Sequence, residues 1–260
     1  MSDSITSGGD IPTLPAGRGG SSDPALSGFP RLPSTVAAAS GHCGLNGLQP
    51  GITIAALYVA KNGCYFGLPN VDPWDQDRDA RLYAGPHPVV AHPPCERWGK
   101  YYGGAPSTWP RKIKGDDGGC FKAALDAVRA WGGVIEHPAC SFAWDAFALN
   151  KPPVSGGWVA ADFLGGWTCH VEQGAYGHRA RKATWLYACG VDLPSLKWGP
   201  AQGDFDPTRE GMSDEQKRRA RKTGICQRLS RKQRMATPLP FRDLLLSIAS
   251  TARRPLSEAA

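Results

Sequence analysis

The sequence predicts an α/β fold with a mainly parallel sheet. Three observations carry that expectation. Short apolar, β-branched runs recur along the chain, segments of helical periodicity stand between or after them, and Gly or Pro punctuates most of the junctions. A chain of 260 residues that is 41% hydrophobic and 20% charged has the composition of one globular domain, not of a disordered or fibrous chain.

Taken in order, residues 1–50 are rich in Gly, Pro, Ser and Thr, and 1–40 is almost free of aromatic residues, so they read as a disordered leader. Residues 52–60 (ITIAALYVA) are apolar and β-branched, bounded by Gly51 and by Asn62-Gly63, and predict a buried strand. Residues 88–92 (PVVAH) predict a second, stopped by Pro93-Pro94. In 121–131 (FKAALDAVRAW), Phe121, Leu125 and Val128, with Trp131 or Ala124, fall on one helical face, and Gly132-Gly133 ends the helix. Strands follow at 134–136, 167–172 and 184–188, then a basic helix at 214–223 and a last helix at 241–249 with Leu244, Leu245 and Ile248 buried. Residues 251–260 read as a disordered tail. Trp158, Trp167 and Trp185 lie in or beside strands and are expected in the core.

Several function classes drop out. No apolar run is long enough to span a bilayer, so no membrane partner is expected. The first residues lack a basic stretch followed by an apolar one, which points to the cytoplasm rather than to secretion. Eight cysteines (43, 64, 95, 120, 140, 169, 189 and 226) are scattered without a C-x-x-C pair, which argues for reduced thiols and against a metal site. The net charge is +7, and residues 207–234 alone hold ten Lys or Arg against three acids. Such clustering fits a polyanion partner, DNA above all; a solvated helix face is the plainer alternative.

In α/β sheets ligands sit beyond the carboxyl ends of the strands. Candidate chemistry stands there: Pro94-Cys95-Glu96 after one strand, Glu136-His137 at the end of the next, and Arg179-Ala180-Arg181 after the following loop. A nucleophile, a carboxylate and an arginine pair suit attack on C6 of a pyrimidine. A thiolate adding at C6 makes C5 nucleophilic, a carboxylic acid at N3 stabilises the developing charge, and arginines hold the O2 side and the phosphate. His92 reads as a strand-end hydrogen-bonding residue or a catalyst, and His137 as an orienting partner of Glu136 or a structural residue. Trp98, Tyr101 and Tyr102, among Gly99, Gly103 and Gly104, read as core or as a mobile loop closing on a flipped base.

These motifs resemble the DNA cytosine-5 methyltransferase family, in a compact, phage-type form. Pro94-Cys95 resembles the family's Pro-Cys nucleophile motif, and Asp117-Gly118-Gly119-Cys120-Phe121 is similar to its D-x-R-G-x-L-F segment. Val134-Ile135-Glu136-His137 resembles E-N-V, with His137 where Asn is usual, and Arg179-Ala180-Arg181 resembles R-x-R. Arg228-Leu229-Ser230-Arg231-Lys232 and 236–240 (ATPLP) resemble the family's last two segments. The resemblance covers about residues 52–249, and the intervals from Cys95 to Glu136 and from Glu136 to Arg179 are close to the family's. It implies a Rossmann-like methyltransferase fold, Cys95 as nucleophile, Glu136 as the acid at N3, and Arg179 and Arg181 as the substrate-holding pair. It also implies S-adenosyl-L-methionine as cofactor, with Gly63, Asp72 and Asp79 as its contacts.

Two departures stand out. The glycine-rich cofactor loop is replaced by 60–67 (AKNGCYFG), which leaves open a related enzyme with another one-carbon donor, such as a folate. The place of the target-recognition domain is taken by only 190–226, with Arg218, Arg219, Arg221 and Lys222 as DNA contacts of low sequence choice. A catalytically inactive DNA-binding relative is the remaining alternative.

Overall fold

Burial on both sides explains the first strand. β1 (Ile54–Leu57) is buried at every position, as a parallel strand covered on both faces must be. Its neighbours are β2 (Val71–Trp74) and β3 (Val89–Ala91), and β4 (Gly133–Pro138) lies beyond β3. β5 (Val159–Ala160), β6 (Gly166–Glu172) and β7 (Ala183–Cys189) complete one seven-stranded sheet in the order β2-β1-β3-β4-β7-β6-β5. The computed structural model describes residues 51–105, 107, 109–201, 213–223 and 229–253, with 219–223 as backbone only. The chain divides into Met1–His42 and Cys43–Ala260, and every described residue belongs to the second unit. The leader, residues 254–260 of the expected tail, Cys43 and Cys226 lie outside the described residues, whereas Thr251 to Arg253 are described and Arg253 N donates to Gly190 O at 3.0 Å.

The sheet is mixed, which corrects the expectation of a mainly parallel one. β2, β1, β3 and β4 run parallel, whereas β7 pairs antiparallel with β4, β6 with β7, and β5 with β6. The cause is the connection from β6 to β7. It spans only 173–182, long enough for a hairpin and too short for a helical crossover. Direction therefore reverses at β4, where Glu136 faces Leu186 and His137 faces Trp185.

Helices cover both faces. On one side α1 (Cys120–Trp131) lays Phe121, Leu125 and Val128 against Leu57, Ala91 and Ile135, joined by Trp144 of the short helix α2 (Phe142–Ala146). Asp117 starts α1: its Oδ1 accepts from Gly119 N at 2.9 Å and its Oδ2 from Phe121 N at 2.8 Å, doing the work of an N-cap before a glycine. Gly132 ends α1, and Gly133 is required where β4 passes β3, because a Cβ there would lie 2.0 Å from Val89 O. On the other face α5 (Leu239–Ser250) packs Phe241, Leu245 and Ile248 on Ile54, Val90, Val134 and Leu186, with Leu244 half-buried. α3 (Asp214–Thr223) has the expected bounds, and α4 (Arg231–Met235) follows. Trp185 is core and Trp158 is partly buried, but Trp167 is 40% exposed, correcting its assignment, although on β6 it shares the face of the buried Cys169 and Val171. No described helix is long and apolar enough to cross a membrane.

Candidate active site

The parallel strands all end at one edge of the sheet, and the reversal at β4 brings the start of β7 and the end of β6 to the same edge. Three predicted residues and several unpredicted ones meet there. His92 leaves β3 with its backbone N bonded to Leu57 O at 3.0 Å. Its Nδ1 lies 3.0 Å from Glu136 Oε2, and its Nε2 lies 2.8 Å from the Tyr65 hydroxyl. The other carboxylate oxygen, Oε1, accepts from Gln173 Nε2 at 2.9 Å, and the same amide reaches Thr184 Oγ1 at 3.0 Å. A carboxylate only accepts, so Nδ1 carries the proton of the His92–Glu136 bond. Burial alone would push the Glu136 pKa up. The hydrogen bond and charge of His92, with Lys182 and His137 nearby, outweigh it and hold the carboxyl at about 2.

Cys95 and Lys182 complete the group. Burial raises the Cys95 thiol, the negative charge of Glu136 raises it further, and Lys182 opposes both. Burial lowers the Lys182 ammonium while Glu136, Cys95 and Cys64 pull it back up. Cys95 and Lys182 thus each lie in the field of Glu136 and of one another, and Cys95 rests as a thiol. Lys182 adopts a left-handed backbone, φ 44°, and its Nζ donates to Ala236 O at 2.9 Å. That bond, with His178 Nε2 donating to Gln233 O at 3.2 Å, ties the loop before β7 to α4. Ser230 and Gln233 form a capping box on α4, and Arg231 reaches Glu96 beside Cys95 at 2.6 Å. The late motif therefore straps the Cys95 loop and the Lys182 loop together.

The arginine pair is placed differently from the expectation. Arg181 donates from Nε to Glu172 Oε2 at 2.8 Å and from a terminal nitrogen to Oε1, and Glu172 is buried. Its guanidinium braces the loop, and the neighbouring Lys182 is the cation that faces Glu136 and Cys95. Arg179 is exposed in the same connection. Of the DNA contacts, Arg218 is exposed on α3, and the side chains of Arg219, Arg221 and Lys222 lie outside the described residues. Trp98 is core, 5% exposed, with Nε1 bonded to Asp117.

The expected cofactor contacts are each engaged within the chain itself. Asp72 lies inside β2, not after it, with Oδ2 held by Trp74 Nε1 at 2.8 Å and Oδ1 by Arg78. Asp79 is held through both oxygens by Arg81, at 2.7 Å each. Gly63 folds onto its own turn, where a Cβ would meet Ala60 O at 2.7 Å. The acid at the end of β2 is Asp75, buried, and the end of β1 offers the unpaired buried hydroxyl of Tyr58. Among the described residues no group of three or more His, Cys, Asp or Glu is arranged to hold a metal. Compared with known proteins, the chain matches no family model, no curated protein and no solved structure.

His137 has a separate consequence. It is 1% exposed between the rings of Phe121 and Trp144, and neither ring nitrogen has a hydrogen-bond partner, the Pro94 carbonyl falling short of good geometry. Burial lowers its pKa from 6.5 to about 4, against the upward pull of Glu136. Between those values the unfolded chain takes up a proton that the folded chain refuses. Stability should therefore fall as pH drops from 6.5 to 4, by up to about 3 kcal/mol from this residue. Urea unfolding across that range should show the slope, and His137→Gln should lose the larger share of it, His170 supplying the rest. An unchanged slope in the variant assigns the effect elsewhere. Below pH 4.5 the loss of the Glu136 charge adds a further decline, down to about pH 2.

Proposed function

We propose that the protein modifies C5 of cytosine in DNA through a covalent bond between Cys95 Sγ and C6. The grouping of Cys95, Glu136 and Lys182 at the ends of β3 and β4 and the start of β7 carries this reading. The parallel half of the sheet is compatible with the Rossmann-like fold that the motif resemblance implies.

The Cys95 thiol first gives its proton to solvent, and the Lys182 ammonium stabilises the thiolate. The S–C6 bond forms as the C5=C6 electron pair moves toward C5, C4 and N3. N3 takes a proton. Glu136, ionised down to about pH 2, cannot supply that proton alone. It comes from a protonated His92, from Nδ1 across the bond to Glu136, leaving a neutral imidazole whose Nε2–H donates to the Tyr65 oxygen. C5 then takes an electrophile; loss of the C5 proton to solvent expels the thiolate, and N3 returns its proton through Glu136 to His92, which restores the ring. Arg181 acts at a distance, through Glu172, by holding the loop that presents Lys182. The reversible first half needs no donor. In D2O it exchanges the C5 hydrogen for deuterium, which mass analysis of a cytosine-containing oligonucleotide reads directly. Exchange catalysed by the chain is the expected result; no exchange on any DNA tested removes the reading.

The engaged states of Asp72 and Asp79 favour a second version, with a one-carbon donor other than S-adenosylmethionine. Calorimetric titration with S-adenosylmethionine and with a folate separates the two.

DNA affinity is assigned to 207–234, with little sequence choice. With about five phosphates neutralised, the log–log salt slope on duplex DNA should be near −4 to −5. Replacing Arg218, Arg219, Arg221 and Lys222 together with Gln should cut that slope by up to about four and weaken all duplexes alike. A quadruple variant with the parental slope makes this segment a solvated helix.

A further inference from the structure

We propose that the described residues of the loop directly after Cys95, 97–105 and 109–114, form a stacking platform for unpaired nucleic acid. In this role Tyr101 and Trp109 take exposed base faces and Lys100, Arg111, Lys112 and Lys114 take the phosphates. The proposal deepens the reading above by naming a single strand as substrate, but the binding it describes does not depend on the chemistry at Cys95.

The loop is closed at its neck. Gly115 N donates to Arg97 O at 3.0 Å, Trp98 N to Cys95 O at 3.0 Å, and Phe142 N to Trp98 O at 2.8 Å. Trp98 is buried there, so close to Gly115 that a Cβ on the glycine would lie 3.0 Å from the indole. Tyr102 turns inward, edge-on to Phe142 at 6.3 Å. With two aromatic rings spent on anchoring, the other two face solvent: Tyr101 is 81% exposed and Trp109 87%. Large aromatic rings are costly to leave in water unless something covers them.

Charge says what covers them. Residues 97–114 contain five basic residues and no acid. Lys100, Arg111, Lys112 and Lys114 are exposed, and none of the four pairs with a carboxylate among the described residues. Exposed rings interleaved with uncompensated cations match a strand whose bases are open and whose backbone is anionic. A duplex offers the phosphates but hides the base faces in its stack. An acidic protein offers the charge without the planar rings.

The test uses the full chain and a labelled single-stranded oligodeoxynucleotide of about twelve residues, with its duplex as the second probe. Tyr101→Ala with Trp109→Ala should weaken single-strand binding about tenfold or more and duplex binding less than about threefold. Phe at both positions should retain single-strand binding. Neutralising the four cations should lower the single-strand salt slope by up to about three. Equal losses on both probes, or no loss on either, overturn the proposal. Displacement of the strand by polyglutamate of equal charge overturns it too, in favour of an acidic protein partner. If C5 exchange is absent while these binding results hold, the reaction falls and the platform stands. If exchange occurs and the double Ala variant binds like the parent, the platform falls alone.

Discussion

Cys95→Ala should abolish exchange at C5 while single-strand and duplex binding survive. Removing a covalent nucleophile costs on the order of a million-fold where the reaction runs through it, and it leaves every proposed phosphate-binding and stacking residue in place. The adjacent thiol provides the control. Cys64 also lies in the field of Lys182, and its carbonyl is held by Arg242 at 2.8 Å. Cys64→Ala should keep exchange within a few-fold of the parent. Loss of exchange in Cys64→Ala with retention in Cys95→Ala would move the nucleophile to the other thiol, and retention in both would end the adduct mechanism.

Glu136→Gln should reduce exchange by about 10²–10⁴-fold, the scale of positioned acid–base help. The carboxylate accepts from His92 on one oxygen and from Gln173 on the other. An amide offers one acceptor and one donor, so one of those bonds must reverse. Gln173 can meet the new donor by turning, since its Oε1 is buried and unpaired. The fold therefore survives while the charge that draws the proton from His92 is gone. His92→Asn should cost about as much, because it removes the source of the proton rather than its carrier. A loss of less than about threefold in Glu136→Gln assigns the carboxylate to structure alone.

The elements that the sequence made legible are those whose side chains alone settle their state. The helices α1 and α5 carry periodic apolar faces, and the strands of ITIAALYVA and PVVAH are apolar throughout, so they fall close to their expected bounds. β5 has two residues and α2 has five, too short for any period to register. Strand direction is not written in the residues of a strand; it followed from the length of the connection at 173–182. The same limit hid half of the site. Tyr65, His92, Glu136 and Gln173 are far apart in sequence and become neighbours only through the strand order. Lys182 stands beside the arginine pair and belongs to no motif of its own, and its left-handed backbone lies in the connection just before β7. The charge count concealed the loop at 97–114 in a similar way. The whole net charge equals that of 207–234, so the remainder of the chain sums to zero while holding a locally uncompensated stretch.

The two borders of the sheet bear on how the protein behaves in crowded solution. β2 carries Pro73, which lacks an N–H to offer, and Asp72, already held by Arg78 and Trp74. β5, at the opposite border, spans two residues and exposes almost no ladder. Proline, a fixed charge and brevity are the means by which natural sheets deter edge-to-edge growth. A seven-stranded sheet with four strands buried on both faces would otherwise be a ready template for fibres. Here neither margin offers a long free ladder to an eighth strand, so edge-to-edge growth of the sheet is disfavoured at both ends.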